Sequence, residues 1–317
     1  MIDNKKEIER AALHKTIWDL ANDLRGAVSG WDFKQYVLGM LFYRFISENL
    51  ASYVNRLQES GFDYAKLPDN EIDDEQRNYI LTAKGFFIKP SELFQNVRER
   101  AKTDANLNET LENIFNSIEN SAKGTGSEAD IAGLFDNIDF NNENLLGKTV
   151  QKRNERLTKI LNGIGDLELG NYGDNTIDVF GDAYEYLMTM YAANAGKVGG
   201  EFFTPQEVSE LLTKITLVGK TEVNKVYDPA CGSGSLLLKF AKILGKDNVR
   251  NGFYGQEINP STYNLCRINM FLHDINYTQF DIACEDTLTS PQHESDEPFE
   301  AIVSNPPYSV KWDGDAN

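Results

Sequence analysis

The pattern of apolar and polar positions divides the chain into two regions. Up to about residue 165, apolar residues recur at helical spacing, most clearly in YVLGMLFYRFISENL at 36–50. Their i, i+3, i+4 spacing predicts a helix with an apolar face broad enough for the centre of a helical bundle. That face comprises Val37, Leu38, Leu41, Phe42, Phe45 and Ile46. Shorter amphipathic helices are predicted at 90–97 and 108–120, and polar loops at 68–78 and 122–130.

The segment NGIGDLELGNYGDN at 162–175 is rich in Gly, Asn and Asp, which is typical of a boundary. We therefore predict a helical domain at 1–165 and a second domain at 166–317. Within the second domain, the stretch DVFGDAYEYLMTMY is predicted to form a helix. One face of that helix would carry Val179, Phe180, Ala183, Leu187 and Tyr191.

From about residue 201, predicted strands alternate with predicted helices. The strands are KVYDPA at 225–230, FYGQEI at 253–258, FDIACED at 280–286 and EAIVSNPP at 300–307. Helices are predicted to begin near Ser233 and near Pro260. This alternation indicates an α/β fold with a mostly parallel sheet, whose ligands bind beyond the carboxyl ends of the strands.

Composition narrows the functional classes only modestly. The chain has 317 residues, enough for two domains, and its hydrophobic fraction of 41% and charged fraction of 25% are ordinary for a globular protein. No apolar run approaches the ~20 residues that span a bilayer, and the N-terminus has no signal-peptide pattern. We therefore expect a cytoplasmic protein. Cys231, Cys266 and Cys284 show no CxxC spacing, so neither a disulfide framework nor a metal site is predicted.

The formal net charge of -18 argues against this chain gripping a nucleic-acid backbone by itself, because phosphate binding depends on clustered Lys and Arg. The basic segment QKRNERLTK at 151–159 is a local exception. It is interpreted as a solvated helix face, with phosphate contact as the alternative.

Chemically distinctive residues stand at the predicted carboxyl ends of the strands. In DPACGSGSLLLKF, Gly232 and Gly234 permit close approach of the backbone to a ligand, and the following helix offers N–H groups. Asp228 suits a cationic ligand group better than a pyrophosphate, and GxGxxG is absent because position 237 is Leu. Glu257, after the next strand, is placed to accept hydrogen bonds from ribose hydroxyls. Together Asp228 and Glu257 favour a nucleoside ligand with an amino acid attached. The alternative interpretation is a turn in which the glycines only satisfy the backbone geometry, next to a glutamate that is simply solvated.

The segment GEFFTPQEVSELL precedes the predicted sheet. Thr204, Pro205 and Glu207 match a capping box with proline at the first helical position. That interpretation leaves Phe202 and Phe203 unexplained. Their rings are placed either to cover a bound cofactor or to pack in the core.

The motif SNPPYS at 304–309 follows the last predicted strand. An exocyclic amine on a nucleobase is a poor nucleophile because its lone pair is delocalised into the ring. The oxygens of the Asn305 side chain and the Pro306 carbonyl would each accept a hydrogen bond from one N–H group of the amine, which would make its lone pair more available for reaction. Tyr308 would stack on an extruded base. A turn after a strand is the alternative interpretation.

In this order the motifs resemble S-adenosylmethionine-dependent amino-methyltransferases, in which a D/N/S-PP-Y/F motif follows the fourth strand. More narrowly, the chain is similar to the modification (M) subunit of type I restriction-modification systems, an N6-adenine DNA methyltransferase. The similarity covers nearly the whole chain. It rests on GEFFTPQEV, DPACGSGSLLL, GQEINPSTYNLCRINMFLHDI, CEDTL and SNPPYS, and in the helical region on IWDLANDLRGAV and YVLGMLFYRFISENL.

The resemblance implies a helical N-terminal domain followed by a Rossmann-like methyltransferase domain that uses S-adenosyl-L-methionine. The implied cofactor-binding residues are Glu201, Phe202, Phe203, Thr204, Pro205, Gln206, Asp228, Pro229, Gly232, Ser233, Gly234, Ser235, Glu257 and Asp286. Asp228 and the glycine turn would hold the methionine end, Glu257 the ribose, and Asp286 would face the adenine ring. Asn305, Pro306, Pro307 and Tyr308 would hold the target base during direct in-line transfer.

The implied partners are double-stranded DNA, a specificity (S) subunit, a restriction (R) subunit and a second copy of the M subunit, with no membrane. Only four strands are visible before Asn317, whereas the family's sheet has seven. We therefore expect a C-terminally truncated chain with an incomplete sheet, unless the sheet is completed in another way. The open edge would be covered by a neighbouring copy or left disordered around 309–317, and the chain would not methylate DNA alone.

Two other functions compete with this one. A protein glutamine methyltransferase also carries NPPY, but such enzymes have a smaller helical domain and lack EFFTP. A non-catalytic assembly subunit would retain the fold, but the intact Asp228, Glu257, Asn305 and Tyr308 argue against it.

Overall fold

The helices predicted in the first half of the chain are present in the structure, which is a computed structural model. The structure describes residues 11–18, 34–167, 169, 179–194, 204–296 and 298–307. Its packing forms two compact units. The first comprises Met1–Asn194 and Phe271–Tyr277, and the second Ala195–Met270 and Thr278–Asn317.

The described parts of the first unit contain helices and connecting loops, and no strand. Its helices are α1 (11–18), α2 (Lys34–Arg56), α3 (Asp74–Lys84), α4 (Phe94–Arg100), α5 (Leu107–Ser121), α6 (Glu128–Ile131), α7 (Glu143–Leu146), α8 (Val150–Gly165) and α9 (Val179–Asn194). Short 3₁₀ turns lie at Tyr64–Lys66, Asp69–Glu71 and Pro90–Glu92. Of the helices in the described ranges of the whole chain, none has the length and apolar content needed to cross a bilayer.

Helix α2 forms the centre of this unit. All six residues of its predicted apolar face are buried, which confirms the prediction. Tyr36, Met40 and Tyr43 are fully buried as well, so the helix is enclosed around most of its circumference rather than along one face. The Tyr43 ring packs edge-on against Phe94 and Phe115, with ring centroids 5.5 and 5.2 Å apart.

The loop predicted at 68–78 is wrong over its second half, because α3 begins there. Asp73 Oδ1 accepts a hydrogen bond from the Gln76 N–H at 2.8 Å, and Gln76 Oε1 accepts one from the Asp73 N–H at 3.1 Å. This reciprocal capping satisfies two N–H groups that a helix start leaves without intrahelical partners. Because only Ile80 and Leu81 of α3 are buried, the segment has little apolar periodicity to reveal the helix.

The basic segment at 151–159 lies on α8. Its two arginines contact the chain just before the helix: Arg153 Nη1 donates to the Gly147 carbonyl at 3.2 Å, and Arg156 Nη1 donates to the Leu145 carbonyl at 2.5 Å. They therefore bind carbonyl groups at the end of α7.

Helix α9 packs with the first unit. Phe180, Ala183 and Leu187 are buried as predicted, whereas the side chains of Val179 and Tyr191 lie outside the described part. The domain boundary placed between 165 and 166 stays a prediction.

The second unit contains a four-stranded parallel sheet in the order β3-β2-β1-β4, which confirms the predicted α/β fold. The strands are β1 (Val226–Asp228), β2 (Phe253–Gln256), β3 (Phe280–Ala283) and β4 (Ala301–Ile302). The helices are α10 (Gln206–Thr216), α11 (Ser235–Leu244) and α12 (Pro260–Leu272), whose last two residues are assigned to the first unit. Short 3₁₀ turns lie at Lys246–Asn248, Tyr277–Gln279 and Glu294–Asp296. Since β1 pairs with both β2 and β4, the motifs that follow these strands meet at one edge of the sheet.

Candidate cofactor and target-base site

Asp228 ends β1 and is only 1% exposed. Its Oδ1 accepts a hydrogen bond from the Ala230 N–H at 3.0 Å, while Oδ2 is buried and has no hydrogen-bond partner among the described residues. Burial is the main cause that raises the pKa of this carboxyl group to about 7, and the charge of Glu257 adds to the rise. The Ala230 N–H and the nearby Ser304 hydroxyl, which itself forms no hydrogen bond with the described residues, act in the opposite direction. A buried acceptor without a partner is costly, so this oxygen fits a ligand that brings a donor or a positive charge.

The turn after β1 depends on glycine. Gly232 and Gly234 have φ values of 55° and 79°, in the left-handed region that residues with a Cβ rarely adopt. A Cβ at Gly234 would also lie 2.8 Å from Cys266 Sγ and 2.9 Å from Met270 Cε. Helix α11 then begins at Ser235 without a side-chain cap. The conformation of this turn therefore requires glycine at Gly232 and Gly234, while the predicted close approach of its backbone to a ligand stays a prediction.

Glu257 follows β2 and binds this turn directly. Its Oε2 accepts a hydrogen bond from the Gly232 N–H at 3.1 Å, and its Oε1 accepts one from the Asn259 N–H at 2.8 Å. Each carboxylate oxygen has a second lone pair, so these bonds leave the group able to accept from ribose hydroxyls. The bond to Gly232 joins the ends of β1 and β2, and it was not predicted from the sequence.

Asp286 lies in the segment after β3, with Oδ1 accepting from the Leu288 N–H at 2.9 Å. Its neighbour Thr287 donates through Oγ1 to the Pro229 carbonyl at 2.5 Å. That bond brings the segment after β3 beside the glycine turn.

Gln256, the last residue of β2, was not identified from the sequence as a site residue. Its side chain is fully buried, and its Nε2 donates to the carbonyls of Glu285 at 3.1 Å and Ser290 at 2.9 Å. Its Oε1 accepts from the Gln292 N–H at 3.1 Å. One amide therefore positions the segment that carries Asp286. An amide side chain in an otherwise apolar strand was the signal available in the sequence.

Asn305 follows β4 and contacts the segment before α10. Its Nδ2 donates to Thr204 Oγ1 at 3.2 Å, and Thr204 is 7% exposed. The predicted capping box is wrong, because α10 begins at Gln206 after an extended Pro205 with ψ 139°, and no side chain caps the helix. The Thr204 hydroxyl accepts from Asn305 instead.

The remaining predicted residues fall into two groups. Ser233 and Ser235 are buried in the glycine turn, Gln206 accepts a hydrogen bond from Lys239 of α11, and Pro306 and Pro307 are exposed after β4. Glu201, Phe202, Phe203 and Tyr308 lie outside the described residues.

Two protein families match successive parts of the chain. Residues 13–164 match the HsdM N-terminal domain, and residues 175–317 match the N-6 DNA Methylase family. The matches follow the order of the helical unit and the parallel sheet.

Individual relatives extend across both regions. The MpnII type I restriction enzyme methylase subunit of Mycoplasma pneumoniae is 49% identical to this chain over 332 aligned positions, covering 99% of this chain and 61% of the relative. The MjaVII methylase subunit of Methanocaldococcus jannaschii is 26% identical, covering 88% of this chain and 44% of the relative. The chain thus spans less than two thirds of the length of these relatives.

A solved structure shows the same arrangement of elements. The crystal structure of a type I restriction-modification methyltransferase subunit from Streptococcus thermophilus is similar with a TM-score of 0.82 and 30% identity, over 96% of this chain and 64% of that one. With its HsdM N-terminal and N-6 DNA methylase regions, the chain belongs to the family of type I restriction enzyme methylase (M) subunits.

Proposed function

We propose that the protein is the subunit of a type I restriction-modification system that transfers a methyl group from S-adenosyl-L-methionine to N6 of adenine in a specific DNA sequence. The observation that carries this proposal is the grouping of Asp228, Glu257 and Asn305 after three adjacent parallel strands, around a glycine turn. Membership of a methylase family supports methyl transfer as the chemistry of this group.

The cofactor site would use the buried acid and the turn. Asp228 Oδ2, without a hydrogen-bond partner in the described structure, fits the ammonium group of the cofactor's methionine end. Glu257 would accept from the ribose hydroxyls, and Asp286 would lie against the adenine ring. The segment Glu201–Gln206 would line the site. When bound, S-adenosyl-L-methionine supplies a methyl group activated by its sulfonium centre.

The target base would bind beyond β4. Donation from Asn305 Nδ2 to Thr204 orients the side-chain amide, and this bond does not use the carbonyl oxygen. That oxygen and the Pro306 carbonyl would accept hydrogen bonds from the two N–H groups of the adenine amine and so increase the nucleophilicity of its nitrogen. Pro307 limits the backbone conformations of the motif, and Tyr308 would stack on the extruded base.

The proposed partners are double-stranded DNA, a specificity subunit, a restriction subunit and a second methylase subunit. The net charge of -18 supports a need for other polypeptides in DNA binding. Cytoplasmic location is proposed with this function.

The test separates cofactor binding from transfer. Calorimetry with S-adenosyl-L-methionine should show that Asp228→Ala weakens binding by about 1–3 kcal/mol. Asn305→Ala should bind the cofactor nearly as well as wild type, yet lose methyl transfer to adenine-containing DNA when co-expressed with a specificity subunit.

Other outcomes would redirect the assignment. Retained transfer by Asn305→Ala would rule out its polarising role. Transfer to a glutamine-containing peptide, with none to DNA, would favour a glutamine methyltransferase. Absence of saturable cofactor binding to the wild type would favour a non-catalytic subunit.

A further inference from the structure

Three potential metal ligands converge away from the candidate site. Asp281 lies in β3, while His293 and Asp296 lie at the 3₁₀ turn before β4. One ligand atom from each lies within 4.8 Å of the other two. Cysteine spacing gives no sign of this group, because its three members are separated in the chain and meet only in the folded protein.

The hydrogen bonds of His293 define the role of each ring nitrogen. The ring is buried, and Nε2 lies 3.0 Å from the Gly255 carbonyl. A carbonyl can only accept, so Nε2 must donate its proton. In the neutral imidazole this leaves a lone pair on Nδ1. Metal-binding histidines commonly use one nitrogen to donate to a carbonyl or carboxylate and the other to coordinate the metal.

The lone pair of Nδ1 faces another acceptor. Asp296 Oδ2 lies 3.1 Å from Nδ1, and an ionised carboxylate has no proton to donate. Two acceptors this close require a proton or a metal ion between them. Zinc–nitrogen and zinc–oxygen bonds of about 2.0–2.2 Å would fit two ligand atoms at nearly this separation.

The surroundings permit a divalent cation. Lys225 Nζ donates to the Asp296 backbone carbonyl at 2.6 Å and lies 4.0 Å from Asp296 Oδ1, so it offsets one of the two carboxylate charges. The excess negative charge that remains favours a cation. Asp281 is exposed, which gives its carboxylate freedom to approach the ion and leaves a side open to water.

We propose that Asp281, His293 and Asp296 form a binding site for a zinc-type divalent transition-metal ion. Imidazole and carboxylate are ligands that such ions accept, and three protein ligands leave a fourth position for water. The ion would join β3 to the segment before β4, which also contains the residues held by Gln256.

The test uses the complete chain without a histidine tag, first stripped of metal with a chelator. Titration with Zn²⁺ should show one saturable site, and Co²⁺ should produce visible absorption bands typical of nitrogen and oxygen ligation. Asp281→Asn should lower Zn²⁺ affinity at least about tenfold, because it removes a ligand at an exposed position without disturbing the core. Glu294→Gln, an exposed acid in the same turn, is the matched control and should leave affinity unchanged.

Equal affinities for wild type and Asp281→Asn, or no saturable binding by the wild type, would overturn the proposal. Nitrogen NMR of His293 gives an independent check. Protons on both ring nitrogens that persist in the presence of Zn²⁺ would show that a proton, and not a metal ion, bridges His293 and Asp296.

Discussion

The raised pKa of Asp228 predicts that the stability of the fold depends on pH. Its pKa rises from 3.8 to about 7 chiefly because the carboxyl group is buried. Between these values the folded protein holds a proton that the unfolded chain releases. Stability therefore falls as pH rises through this window and levels off above pH 7, with a full cost of about 4 kcal/mol.

Asp228→Asn should remove this dependence. Urea unfolding at pH 5 and pH 8 should show that wild type loses about 3 kcal/mol more stability than Asp228→Asn over this interval. The exposed Asp247→Asn is the control for replacing a carboxyl group with an amide. Parallel pH profiles for wild type and Asp228→Asn would contradict the buried, protonated state of Asp228.

Gly234 combines a left-handed backbone with lack of space. Gly234→Ala should therefore destabilise the protein by more than the ~1–2 kcal/mol of left-handed strain, because its Cβ meets Cys266 and Met270. Gly219 is the matched control, since its φ of 77° is similar but nothing lies within 4 Å of an added Cβ. Thermal unfolding should place Gly234→Ala below Gly219→Ala, and equal losses would show that crowding contributes nothing.

At the scale of elements, side-chain hydrogen bonds position a segment that lies outside the short strands. The segment 285–292 has few regular backbone hydrogen bonds, and its position depends on three bonds to Gln256 and one from Thr287 to Pro229. Gln256 therefore supplies three of these four side-chain hydrogen bonds, which hold the segment that would contact the cofactor's adenine ring.

Gln256→Met keeps a similar volume but removes those three bonds. We expect a loss of about 1–3 kcal/mol for the buried groups left unpaired. Hydrogen exchange should accelerate in 285–292 and remain unchanged in α2. Gln292→Ala is the control, because it keeps the backbone N–H that Gln256 binds. Unchanged exchange in 285–292 would show that Gln256 does not position this segment.

At the scale of the whole molecule, charge limits what this chain can do alone. With a net charge of -18, nonspecific attraction to the DNA backbone should be weak. We expect methylation of duplex DNA to require co-expression with a specificity subunit, and complex formation to weaken as salt rises from 50 to 200 mM. Robust methylation by this chain alone would contradict this expectation.

The sequence by itself determined the helix at the centre of the first unit, the four strands and the glycine turn. Each depends on local periodicity or on backbone conformations that few residues adopt, so neighbouring residues suffice to predict it. Local patterns failed at α3, whose start is encoded by polar capping residues, and at Thr204, whose expected local bond is replaced by a distant one.

Only the tertiary structure decided which distant groups meet. Asn305 contacts Thr204 across 101 positions, and Glu257 binds Gly232 across 25. The strand order places both contacts at one edge of the sheet. The pairing of β3 with β2 brings Asp281 near His293, because the His293 ring is bound to the Gly255 carbonyl of β2. Hydrogen bonds of this kind depend on ångström-scale distances between elements, which are set by how the sheet and helices pack together and not by the residues adjacent in the chain.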